Sequence, residues 1–405
     1  MKKILLSSCF LFFLSCFSLA QNVGIGTSTP DTSALLHIHL GASTTHGLLV
    51  TGAYDPVSTV PDLGAGTRMM FYPGKAAFRA GEVSGNQWDN TNVGNYSFAT
   101  GSNTIASGNY STALGFLTTA SGSISTALGA ITIASGNYST ALGNSSTASG
   151  DISTAMGVST TASGAISTAM GQGTTASGPI STAMGYNTIA SASFSTAMGS
   201  NTTASGFYST SMGSNLSAKS GYETVLGRFN TDYTPLSIVS WDPADRLFSI
   251  GNGTDPSSRS DALVVLKNGN TGIGTSLPNA SALLHIDLGT STTKGVLITG
   301  TYDPVSTVPN IGAGSRMMFY PGKSAFRAGT VNGIQWDNTN VGNYSFATGS
   351  NTTASGNYST AMGQFTTASG YYSTAMGSNT TASGYYSTAM GSNTTASEFS
   401  STAMG

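Results

Sequence analysis

The sequence predicts an all-β chain whose main element is a parallel β-roll, accompanied by β-hairpin spacer and cap modules. Three observations carry this reading. A 14-residue motif repeats in tandem, each repeat holds two short alternating stretches that end in glycine, and charge is almost absent from the repeats. A 14-residue period is too short for a helical hairpin and too rich in glycine for a helix. Alternation of small residues reads instead as two short strands per turn, joined by tight glycine corners.

Composition narrows the class. Only 7% of the 405 residues are charged, against 39% hydrophobic, and the net charge is −2. Disordered chains are usually rich in charge and poor in hydrophobes, and the 52 glycines show no Gly-X-Y period. No basic patch exists for a nucleic acid to find.

Two nested repeats organise the chain. Asn22-Val23-Gly24-Ile25-Gly26-Thr27 returns as Asn270-Thr271-Gly272-Ile273-Gly274-Thr275, an offset of 248 that aligns 22–108 with 270–356 without a gap. The 14-residue repeat runs from Asn95 for nine turns to Ser220, with a closing half-turn at Gly227, and resumes at Asn343 for four turns. Within 95–220 only Asp151 and Lys219 are charged. Turns stacked about 4.8 Å apart make nine of them a rod of roughly 43 Å. The second series stops at Gly405 inside a turn, so the chain is expected to be a fragment or to lack a cap.

Parity assigns the faces. In Ser111-Thr112-Ala113-Leu114-Gly115, the small Ser111, Ala113 and Gly115 point inward and Thr112 and Leu114 outward. The outward position forms a ladder of Leu114, Leu128, Leu142, Met156, Met170, Met184, Met198 and Met212, continued by Met362, Met376 and Met390. A second apolar ladder runs Tyr110, Ile124, Tyr138, Ile152, Ile166, Ile180, Phe194 and Tyr208. One ladder fits inside the roll or at its corner; a coil this narrow cannot bury both. The Leu/Met strip exceeds what a monomer leaves exposed, so identical rods are expected to associate laterally through it.

The string Ala148-Ser149-Gly150-Asp151-Ile152-Ser153-Thr154-Ala155-Met156-Gly157 closely resembles the YadA-like head repeat of trimeric autotransporter adhesins. The resemblance implies a left-handed roll, a homotrimer, display on a bacterial surface and attachment to host or matrix ligands, whether protein or glycan. The chain shows no heptad stalk and no C-terminal anchor barrel, and large spacers separate its heads. The motif around 22–38 resembles a strand module of trimeric phage tail fibres.

The expected organisation is therefore an export signal at 1–20, a β spacer/cap module at 21–94, a first roll at 95–227, a connector at 228–269, a second spacer at 270–342 and a second roll at 343–405. The signal rests on Met1-Lys2-Lys3, the apolar stretch 4–17 and Ser18-Leu19-Ala20. That stretch is too short to span a bilayer, and no other is apolar enough, so the mature chain has no transmembrane segment. A rival reading lipidates Cys16 within Phe13-Leu14-Ser15-Cys16. In the spacers, Pro73-Gly74-Lys75 turns a hairpin between 68–72 and 76–79, and 247–250 and 262–266 are strands around a turn-rich 251–261.

Candidate chemistry is sparse, and no catalytic role, cofactor or metal is assigned. His37 and His39 share a strand face but lack a third ligand. Gly64-Ala65-Gly66 precedes no helix, and the serines have no nucleophile elbow. A solenoid lyase needs clustered carboxylates, and 95–220 offers Asp151 alone. Trp88 and Trp336, each within Gln-Trp-Asp-Asn before a roll, read first as caps; if exposed, they are candidate sugar contacts. The function expected is a non-catalytic adhesin or fibre head. The alternatives are an ice-, crystal- or polysaccharide-binding solenoid, or a phage-like tail fibre.

Overall fold

The computed structural model describes residues 22–405 except 43, 44 and 46. The export signal, with Cys9 and Cys16, lies outside the described residues. The chain divides into two compact units, Met1–Gly289 and Thr290–Gly405. The division falls later than the expected spacer start at 270. Strands Thr271–Ile273 and Leu284–Ile286 extend the sheet of the first unit and so belong to it.

In the first unit, β1 (Val23–Ile25) pairs in parallel with β2 (Leu36–Ile38). Next, β3 (Gly66–Tyr72) pairs antiparallel with β4 (Ala77–Val83) across the 3-10 turn Pro73–Lys75, the hairpin expected there. The roll then stacks directly on β4: Phe78 pairs with Phe98 and Arg79 with Ala99. Every turn contributes a five-residue strand to a 16-stranded sheet and a two-residue strand to a 9-stranded one. Register is in steps of 14, as in Thr140↔Thr154 and Thr147↔Thr161. After Arg228 the sheet continues through Arg246–Asn252, parallel to the last turn, and antiparallel Asp261–Leu266. The second unit repeats the plan with hairpin Gly314–Tyr320 and Ala325–Val331, then a roll whose sheets hold strands from Phe346 to Met404.

The repeating turns contain no large core residue. Their buried apolar groups are alanines alone, in two columns that include Ala99, Ala113 and Ala127 on one wall and Ala106, Ala120 and Ala134 on the other. Ser111 is buried beside them, as parity required, and so is Thr118, whereas Gly115, expected inside, is exposed at the end of its strand. The order of the roll therefore comes chiefly from its backbone ladders, with only about 0.8 kcal/mol per buried methyl-sized group added by the core. Larger residues enter only at the end of the first roll, where Leu216 and Val225 take places held earlier by Thr and Ala or Ser.

Glycine makes one corner, Gly173 (φ 64). Elsewhere each turn bends at two non-glycine residues of positive φ, seven apart, such as Tyr110 (φ 58) and Leu117 (φ 53). Non-glycine residues reach this region only when the surroundings hold them there. At a corner the amide points back to the preceding turn: Tyr110 N–H donates to Asn95 O and Leu117 N–H to Ser102 O, at 2.8 and 2.9 Å. Strand amides donate forward instead, as Thr112 does to Ser125 O. The glycines serve close stacking. A Cβ on Gly115 would lie 2.0 Å from Gly129 O, and one on Gly122 2.0 Å from Gly136 O.

Candidate functional site: outer ladders and roll ends

The Leu/Met residues form one continuous column. Register pairs Leu114 with Leu128, Leu142 with Met156, Met156 with Met170, Met170 with Met184 and Met198 with Met212. Leu226 prolongs the column in the first roll and Met404 in the second, beyond Met362, Met376 and Met390. These side chains stand outside the roll, half-buried by their neighbours above and below, except that Met156, Met212 and the terminal Met404 are exposed. Alternation fixes this, since Ala113 and Ala127 on the same strands point inward.

The second ladder also lies outside, at a corner. Tyr110, Ile124, Tyr138, Ile152, Ile166, Ile180, Phe194 and Tyr208 are all exposed and all of positive φ. Neither ladder enters the roll, because the stacked alanines, serines and threonines already fill it. Where the corner residues are aromatic they stack: Tyr96 on Tyr110 with centroids 4.7 Å apart, and Phe194 on Tyr208 at 4.5 Å. In the second roll Tyr358, Tyr372 and Tyr386 stack beside a further column of Tyr371, Tyr385 and Phe399.

Trp88 and Trp336 are not surface aromatics. Both are at most 1% exposed, and each indole N–H donates to a carbonyl of the first turn, Thr104 O or Thr352 O, at 2.9 Å. Burial withdraws both rings from any sugar. They belong to a donor cap. At the start of a roll the carbonyls that an earlier turn would have used are left over, and an orphaned buried carbonyl is costly. Arg79, fully buried, donates to Ser97 O, Ser97 Oγ and Ala106 O, and Lys75 donates to Val93 O at 2.7 Å. Arg327 and Lys323 repeat these bonds in the second unit. Burial lowers the Arg79 and Arg327 guanidinium pKa to about 10.

The far end of the first roll is the electrical complement. There the leftover groups are N–H donors, and acceptors meet them. Glu223, in the place that buried serines hold in earlier turns, accepts from Lys219 N and Ser220 N at 2.7 and 2.9 Å. Asn230 Oδ1 accepts from Ser217 N at 2.9 Å. The Tyr233 hydroxyl donates to Glu223, and Arg246 lies over the Tyr233 ring at 4.3 Å. Arg246 also pairs with the buried Asp261 at 3.3 Å. Burial pushes the Glu223 and Asp261 carboxyls above their ordinary range.

Other candidates form no site among the described residues. No group of three metal-ligating side chains is present there. The His37 and His39 rings meet edge to face at 5.9 Å, and His37 Nδ1 accepts from Asp31 N. A cleft beside the last turns is lined by Asn215, Lys219, Asp232 and Arg259. Its cations are engaged, Lys219 by Asp232 and Arg259 by the Asn215 and Asn230 carbonyls. No helix among the described residues is long and apolar enough to cross a membrane.

Stacked turns, Ala-filled interiors and donor-capped starts define a repeat-built β-solenoid with apolar columns along its outside. The YadA head domain repeat matches overlapping segments from 93–118 through 176–202, and again 341–366 and 368–394. Both rolls thus carry YadA-type head repeats over the matched residues. The turns from 203 to 227 continue the same register beyond the matched residues. No curated protein matches the chain.

Proposed function

We propose that this chain is an exported, non-catalytic adhesin or fibre head in which three copies associate along the Leu/Met ladders into a rigid surface projection. YadA head repeats imply an adhesin of the trimeric autotransporter type. The observation that carries the assembly is the unbroken outer column from Leu114 to Leu226, at one level per turn. Each large apolar side chain removed from water contributes about 1.5–3 kcal/mol when fully buried, so a column of them is a strong lateral contact. The spacers act as caps and joints between heads, and residues 1–20 direct export. The ligand is a host, matrix or environmental surface met by the polar and aromatic walls. Sedimentation of the exported chain tests the assembly: a mass three times that of one chain is expected, and a monomer at micromolar concentration would falsify it.

A further inference from the structure

Two segments have a composition suited to strands and, among the described residues, no strand partner. Residues 47–54 read Gly-Leu-Leu-Val-Thr-Gly-Ala-Tyr and residues 295–302 read Gly-Val-Leu-Ile-Thr-Gly-Thr-Tyr. Each runs without turn, bend or positive φ, and every residue in both is exposed. Leu49 is 83% exposed and Leu297 85%. Among the described residues, neither 47–54 nor 295–302 makes a backbone hydrogen bond to another part of the chain; the next backbone bonds after them are donated by Asp55 N–H and Asp303 N–H. A neutral run of Leu, Val, Ile and Thr with an entirely open backbone is an edge waiting for a strand.

Each is fastened only towards its end, where Gly52 lies against Pro73 and Gly300 against Pro321. Tyr54 stacks on Tyr96 and Tyr302 on Tyr344, both with centroids at 4.7 Å, which joins each segment to the corner column of the roll that follows. Within each unit the segment thus continues the outer wall of its own roll.

We propose that residues 47–54 and 295–302 are inter-chain strands, each pairing with the same segment of the other copies of this chain. This rests on the assembly proposed above and adds a second contact to it. Three features favour a copy over a foreign partner. Neither segment carries a charge by which another protein could be selected, and an uncharged β-forming strand is its own complement. The segments differ only by Leu48/Val296, Val50/Ile298 and Ala53/Thr301, exchanges that keep a strand surface. Both sit at the head of a roll, where association along the ladder brings identical segments together. A bilayer would leave the open amides unpaired.

Hydrogen exchange read by mass spectrometry on the full exported chain, with mass measured in parallel, tests this. In the assembled protein, amides of 48–54 and 296–302 are expected to exchange about 100-fold or more slowly than in a free chain. The double variant Leu49→Asp, Leu297→Asp should return them to free-chain rates while roll amides stay protected. An oligomer whose segments exchange freely overturns the strand pairing and leaves the ladder assembly standing. Protection in a monomer, or protection gained only with phosphatidylcholine vesicles, also overturns it. A monomer with fast-exchanging segments overturns both proposals.

Discussion

Ser220 donates its backbone N–H to the Glu223 carboxylate, whereas one turn earlier Gly206 gives the equivalent hydrogen to the Ala218 carbonyl. A side chain three residues away thus does the work of a turn that is not built. Glu223→Ala removes the acceptor from two amides and should cost about 1–3 kcal/mol. Glu223→Gln keeps an acceptor oxygen and should cost little. Chemical denaturation of the two variants separates them, and equal losses would sink the capping role.

The same residue makes stability depend on pH. Burial raises the Glu223 pKa above 4.5, so the folded chain keeps a proton that the unfolded chain has released. Its contribution to stability therefore falls as pH rises from 4.5 through the raised value. The wild-type Tm should drop relative to Glu223→Gln across that window. Parallel Tm-against-pH curves would refute the assignment.

At the opposite end, Trp88→Phe keeps most of the packing and removes the donor to Thr104 O. A loss of about 1–3 kcal/mol is expected, with faster exchange confined to the first turns. Exchange that rises evenly along the roll would contradict a local cap.

The interior hydroxyls divide into two kinds. Ser111 Oγ donates to Gly108 O at 2.6 Å, while Thr118 Oγ1, equally buried, has no partner. Thr118→Val should be neutral or stabilising by up to about 1 kcal/mol, whereas Ser111→Ala should cost about 1 kcal/mol. Leu216 already fills the Thr column at its last level. Urea midpoints in the reverse order would rule this out.

The two glycine columns should also differ. Gly129 has φ +120, and any Cβ there strikes the next turn's backbone. Gly136 belongs to the column in which Ala192 occurs naturally; there the neighbouring corner bond at Phe194 is 3.0 Å, against 2.8 Å at Ile180. Gly129→Ala should cost about 3 kcal/mol or more, and Gly136→Ala about 1–2. Equal Tm losses would remove the distinction.

Met170→Asp tests the lateral contact, since it places a charge mid-column without entering the Ala core. The variant should keep its β circular dichroism and lose assembly by sedimentation. An unchanged mass would move the interface to another wall.

Parity alone placed Ser111 and Ala113 inside and Leu114 outside, because a two-residue alternation leaves no other choice. It could not place Tyr110, whose left-handed corner lies outside any alternating pattern. Glycine at the repeat ends reads as a corner signal in the sequence, whereas it marks carbonyls stacked too closely for a methyl group. The caps were half legible. Trp88 stood out by rarity, but its burial depends on the hairpin folding over the roll. Arg79 becomes visible only once β4 is aligned with the first turn, where it takes the place of Ala99. Glu223 carried a usable signal: a lone acid in a column of serines marks where repetition ends.

The corners at Tyr110 and Leu117 show that one turn is two sevens of similar plan, each with a buried hydroxyl, a buried alanine and a glycine. Length in this molecule is accordingly counted in integers. Gain or loss of 14 residues by unequal exchange between repeats shifts the far cap along the axis and leaves every column in line. A change of seven would still satisfy the interior, yet it would carry all later methionines to the opposite wall. In the assembly proposed above, the seam between copies, rather than the fold of one copy, would hold the count of residues to whole turns.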